Sequence, residues 1–72
     1  MNRPHSRYVE GSHFRLIEER LAHKWSTFDI AEKINVSRST YTQVETGCRR
    51  GSEYIWQSLE DLLGVPKEEL KQ

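Results

Sequence analysis

Residues 27–44 restrict the fold of this chain more than any other stretch. Just before them, Ser26 and Asp29 are spaced as a capping box, and Trp25 and Ile30 stand where a hydrophobic staple would close over the start of a helix. That helix is expected to run through Ala31 to about Ile34. Asn35, a residue tolerant of left-handed backbone, can then end it and turn the chain. Val36 is expected to be buried in the turn, and Ser37 to cap a further helix of about two turns. Gly47, just past its end, supplies a left-handed C′ position. Ile30, Ile34, Val36, Tyr41 and Val44 can all face one core, with the small Ala31 where the two helices cross. The pattern is helix, tight turn, helix.

The second helix of this pair has a divided surface. At about 100° per residue, Tyr41 and Val44 fall on one side and Arg38, Ser39, Thr42 and Gln43 on the other. The polar side holds a guanidinium, hydroxyls and a carboxamide, groups that hydrogen-bond base edges in the DNA major groove. A polar helix face can also do no more than meet solvent. The turn that precedes this helix is what favours the base-reading assignment, since it would present such a face in a fixed way.

The rest of the chain fits one small all-α domain. The 72 residues are near the size at which a single core only just holds. With only two prolines and four glycines, most of the chain is free to be helical. Residues 1–11, with Pro4, Gly11, Arg3 and Arg7, are expected to form a flexible arm, and residues 12–72 the domain. A first helix is expected over residues 12–24, with Phe14, Ile17 and Leu21 as its apolar stripe. Ser52 is placed to cap a fourth helix that closes at Gly64. Pro66, Glu68 and Glu69 suit the start of a short fifth helix ending near Lys71.

Charge distribution matters more than its sum, which is +0. Residues 1–25 and residues 37–50 each carry a net +2, and the segment from Glu53 onward a net −3, so a basic face is open to the fold. No apolar run reaches membrane-spanning length and no secretory leader is evident, so a cytoplasmic protein without membrane contact is expected. The lone Cys48 cannot form an internal disulfide, which agrees with a reducing compartment. His13 and His23 lie on different faces of the first helix, and with Cys48 they match no zinc spacing, so they read as surface histidines. The sequence holds no nucleophile–base pair and no phosphate-binding glycine loop. No catalytic residue, metal, cofactor or small-molecule ligand is therefore expected.

With these residues in view, the chain resembles the XRE, or phage-repressor, class of helix-turn-helix regulators. The likeness is carried by Arg20, by Ile30, Ala31, Glu32, Lys33 and Ile34, and by Val36, Ser37, Arg38, Ser39 and Thr40. It continues through Val44, Glu45 and Gly47 to Leu63, Gly64 and Val65. The resemblance implies a compact five-helix domain whose third helix enters the major groove, usually as a dimer on a near-palindromic operator of double-stranded DNA. It implies a repressor or control protein of a bacterium, phage or plasmid. It also implies phosphate contacts from Thr27, Ser37, Thr46, Arg49 and Arg50, and an internal ion pair between Arg20 and Glu45. Three positions depart from the family pattern. Asn35 replaces the usual turn glycine, Gly51 stands where proline is common, and Tyr41 takes the place of an aliphatic residue.

The fourth helix carries more apolar residues than one stripe needs. Trp56, Leu59 and Leu63 mark a core face, while Ile55 and Leu62 form a second line displaced by about 100°. Ile55 and Leu62, joined by Leu70, are expected at a homodimer interface. A protein-interaction module, such as an antitoxin covering its partner, is the alternative to a DNA-binding regulator. In that case the apolar surface of the fourth and fifth helices would do the binding. Enzymatic activity is the least supported class.

Overall fold

The computed structural model describes residues 12–71, so the expected arm at residues 1–11 lies outside the described residues, as does Gln72. Five helices follow in order: α1 (Phe14–Ala22), α2 (Thr27–Lys33), α3 (Arg38–Glu45), α4 (Glu53–Leu63) and α5 (Lys67–Leu70). There is no strand among the described residues. The fold is all-α, as expected.

Local chemistry accounts for most of the helix ends. Ser26 caps α2 with a reciprocal box: Asp29 N–H donates to Ser26 Oγ at 3.0 Å, and Ser26 N–H donates to Asp29 Oδ2 at 2.9 Å. These bonds, that from the Ser26 backbone first, hold the Asp29 carboxyl below the usual carboxylate range. Ser37 caps α3 and Ser52 caps α4 in the same way, by accepting a backbone N–H in the first turn. At the far end of α2, Asn35 takes φ +65°, its N–H reaches Glu32 O at 3.1 Å and the Val36 N–H reaches Ala31 O at 3.0 Å. That is a Schellman turn, and asparagine serves it in place of glycine.

The first helix stops earlier than its apolar pattern implies. Lys24 adopts φ +61°, and the N–H groups of Lys24 and Trp25 bond back to Leu21 O and Arg20 O, a second Schellman turn that ends α1 at Ala22. The apolar stripe expected there is also corrected. Leu16 and Ile17 are the buried residues, whereas Phe14 and Leu21 are 48% and 45% exposed. The inward face is completed by Arg20, a cation that a search for apolar periodicity passes over.

Leu16, Ile30, Ala31, Ile34, Tyr41, Val44, Ile55, Trp56, Leu59, Val65 and Leu70 form one core, with Trp25, Val36, Leu62 and Leu63 packed at its edge. Helix α2 packs on α3, and α5 packs on both α1 and α4. The four-residue α5 could not persist alone. Its Leu70 is fully buried, and Arg15 on α1 bonds Glu69 at 3.0 Å. This closure corrects the interface expected from sequence. Ile55 is 5% exposed and Leu70 0%, and both belong to the monomer's own core, onto which α5 folds back. Of the three, only Leu62 keeps part of its side chain at the surface.

Two aromatic side chains join the later helices to the earlier ones. Tyr54 donates its hydroxyl to Ile34 O at 2.9 Å, tying α4 to the end of α2. The buried Trp56 donates its indole N–H to Arg50 O at 3.1 Å and meets the His13 ring edge-on, with centroids 4.9 Å apart. His13 is accordingly no free surface histidine. It is half-buried, its Nδ1 lies 2.8 Å from Lys71 O, and its backbone N–H donates to Glu45 O.

Candidate nucleic-acid interface

The outer side of α3 is built by what its inner side buries. Tyr41 and Val44 are fully enclosed, and Glu45 is 4% exposed, which fixes the rotation of the helix. Arg38 and Ser39 are exposed on the opposite side, and Thr42 and Gln43 are half-exposed. The four candidate base readers thus share one surface.

Glu45 is the only acid on α3, and it is turned inward to Arg20. Arg20 Nη2 donates to Glu45 Oε2 at 2.9 Å, and Arg20 Nη1 donates to Trp25 O at 2.9 Å. The side chains are 12% and 5% exposed, so this is an interior pair. Tyr41 lies beside it. Burial, then the negative charge of Glu45, pushes the Tyr41 hydroxyl well above the ordinary tyrosine range, and its oxygen has no hydrogen-bond partner among the described residues. The departure at Tyr41 thus puts a hydroxyl inside the core, against Glu45 and Arg20.

Beyond α3 the chain turns at Gly47, φ +85°, and again at Gly51, φ +85°. Between them stand Cys48, Arg49 and Arg50, all exposed. The second turn explains the departure at Gly51, since proline is held near −65° and could not adopt it. A Cβ there would also meet the Trp56 indole nitrogen at 2.7 Å. Among the described residues, Arg38, Arg49 and Arg50 have no carboxylate within salt-bridge distance, whereas Arg15, Arg20 and Lys67 all do. Beside the loop a cavity of about 590 Å³ is lined by Arg49, Arg50, Lys71, His13 and Trp56, and by one acid, Glu53, which is paired with Lys67. The region is a cationic, hydrogen-bonding surface without an opposing acid of its own on α3.

Not every hydroxyl expected on phosphate is available for it. Ser37 Oγ accepts from Thr40 N–H and lies 2.8 Å from Thr40 Oγ1, a hydroxyl pair in which either can donate. Thr46 donates to Thr42 O at 3.0 Å and, at longer range, to Gln43 O. A phosphate oxygen only accepts, so in the free protein the Thr46 hydroxyl is committed elsewhere, while Ser37 keeps its proton for phosphate when Thr40 is the donor of their pair. Thr27, in the first turn of α2, is half-exposed and has no such commitment among the described residues. One contact was absent from the sequence reading: Arg49 Nε donates to Gln43 Oε1 at 3.0 Å. The glycine at position 47 is its only sequence signal, as the residue that lets the loop fold back. No group of three or more metal-ligating side chains occurs among the described residues, and none of their helices is long and apolar enough to cross a membrane.

Capped helices either side of a left-handed turn, with a polar outer face on the second, define a helix-turn-helix domain. The chain belongs to the XRE-type helix-turn-helix family, whose model, described as Helix-turn-helix, matches residues 16–70. The match runs from the first buried leucine of α1 to the last residue of α5. The family is one of DNA-binding regulators. Neither a curated protein nor a solved structure gives a match.

Proposed function

We propose that the protein is a cytoplasmic, sequence-specific transcriptional regulator, a repressor or control protein, that inserts α3 into the major groove of double-stranded DNA. Arg38, Ser39, Thr42 and Gln43 read base edges, while Arg49, Arg50 and Thr27 hold phosphates on either side. The observation that carries this reading is the inward pairing of Glu45. It removes the one negative charge of α3 from the surface and leaves the helix and its loop with three arginines free of acid partners among the described residues. Anionic DNA meets no acid on the outer face of α3 itself. The rival reading, a protein-binding module using α4 and α5, loses its main support because Ile55 and Leu70 belong to the interior.

Two copies related by a two-fold axis would set their α3 helices about 34 Å apart on a near-palindromic operator, each adding its own modest affinity. Leu62 is the residue retained for that contact. Selection of bound sequences from a random DNA pool at two salt concentrations tests the whole reading. A motif with two half-sites about one helical turn apart is expected, and Gln43→Ala should blur one base position at a cost of about 1–3 kcal/mol. Recovery of no motif, with binding lost at moderate salt, would hand the function to the protein-interaction reading.

A further inference from the structure

The Gln43 side chain is held from both ends. Gly47 takes the chain into left-handed backbone directly after α3, and its N–H bonds Val44 O at 3.2 Å. The chain then folds back one residue further than a Schellman turn requires, so that the Arg49 N–H, and not that of Cys48, closes on Gln43 O at 3.0 Å. This main-chain bond places the Arg49 side chain alongside Gln43, where its Nε donates to Gln43 Oε1 at 3.0 Å. At the other end Gln43 Nε2 faces Ser39 Oγ at 3.5 Å, a weak contact at the outer limit of a hydrogen bond.

A carboxamide has two flips, related by rotation about its last torsion, and nothing intrinsic to glutamine chooses between them. Arginine makes the choice, because a guanidinium only donates. The oxygen must face Arg49, which leaves the amide nitrogen toward Ser39 and the base-reading side of α3. The held oxygen keeps a second lone pair, so it can still accept from a base while bonded to Arg49. Glutamine reads a base pair through one acceptor and one donor, and the order in which they stand along the groove decides which pairs fit. With the flip fixed, Gln43 fits a pair that offers a donor and then an acceptor in one direction, and rejects the same pair turned round.

We propose that Arg49 is a positioning residue for base readout: by fixing the Gln43 carboxamide it determines which base pair Gln43 selects, beyond any attraction it has for phosphate. The inference rests on the proposed reading of α3 as the groove helix. It separates Arg49 from Arg50, whose side chain has no bond to a reader among the described residues and which should act through phosphate alone.

The test is selection from a random DNA pool with the 72-residue wild type, Gln43→Ala, Arg49→Met, Arg49→Lys and Arg50→Met, with folding of each verified by circular dichroism. Arg49→Met should lose discrimination at the same base position that Gln43→Ala blurs, by on the order of tenfold. Arg49→Lys should recover much of the affinity, since the charge returns, but little of the discrimination, since the planar fork does not. At that position the double variant Gln43→Ala/Arg49→Met should look like Gln43→Ala alone. Arg50→Met should weaken all sequences alike. An Arg49→Met profile parallel to that of wild type, merely weaker as for Arg50→Met, overturns the inference while leaving the proposed function standing. A wild type that recovers no motif overturns both.

Discussion

Arg20 on α1 and Glu45 at the end of α3 are joined by a 2.9 Å hydrogen-bonded ion pair in the interior of the domain. The bond links two helices through residues that are 25 apart in the chain. Arg20 also bonds Trp25 O, so one guanidinium holds the start of the α2 segment and the end of α3 together. Cutting Glu45 to alanine leaves that guanidinium buried and short of its counter-charge. At 12% and 5% side-chain exposure, a loss of about 3–5 kcal/mol is expected on urea denaturation of Glu45→Ala. A loss below about 1 kcal/mol is what a solvated pair gives, and it would show that the pair is not interior in solution.

Tyr41 should behave in the opposite way. Its hydroxyl is enclosed against Glu45 and Arg20 but meets neither in good hydrogen-bond geometry, and a group held so poorly adds little or no stability. Tyr41→Phe is expected to leave stability unchanged at neutral pH or raise it by about 1 kcal/mol. The pH dependence follows from the raised Tyr41 hydroxyl. Since the folded state keeps the proton more tightly than the unfolded chain, its contribution is full below about pH 10 and declines as pH rises beyond that. Wild type should therefore lose stability above about pH 10 more steeply than Tyr41→Phe. Parallel curves for the two proteins would show that folding does not raise the Tyr41 hydroxyl, and a loss of more than about 1 kcal/mol for Tyr41→Phe at pH 7 would mean that the hydroxyl is hydrogen-bonded after all.

Gly51 and Gly64 form a natural pair of controls. Both have positive φ, +85° and +73°, but a Cβ at Gly51 meets Trp56 Nε1 at 2.7 Å and one at Gly64 meets nothing within 4 Å. Gly64→Ala should cost only the backbone strain, about 1–2 kcal/mol. Gly51→Ala adds a clash with an indole whose N–H is bonded to Arg50 O, and so should cost more and shift the tryptophan emission. Equal midpoints for the two variants in thermal denaturation would refute the assigned contact.

How much of this could be read from the sequence depends on the range of the interactions involved. Ser26 with Asp29, Ser37, Ser52 and Asn35 act within a turn of their own position, and each marks a helix end that the structure has. The rotation of α3 was legible too, because Tyr41 and Val44 fix it alone. Where partners are distant, the pattern is silent. Arg20 is inside because Glu45 waits there 25 residues away, so the α1 face looked like an apolar stripe through Phe14 and Leu21. Leu70 looked like surplus because nothing local says that α5 closes over α1 and α4, and Ile55 because a second apolar line on α4 does not say which core it meets. The Arg49–Gln43 bond depends on how far the chain folds back after Gly47, which residue type alone does not state.

The burial of Ile55 changes what a substitution there would report. Ile55→Lys places an ammonium in a site 5% exposed, between α4 and the rest of the core. The expected result is a large loss of stability, about 3 kcal/mol or more, as for other uncompensated buried charges. Leu62 differs, since it packs at the edge of the core with part of its surface in solvent. Leu62→Lys can keep its stem on the core and swing its charge outward. If two copies pair through this side of α4, Leu62→Lys should stay folded, sediment as a monomer and bind a two-half-site operator more weakly than wild type, while its affinity for a single half-site is unchanged. Circular dichroism and sedimentation on the same samples separate the two effects. A folded Leu62→Lys that still sediments as a dimer on operator DNA moves the interface elsewhere. A wild type that remains monomeric on that DNA ends the dimer proposal altogether.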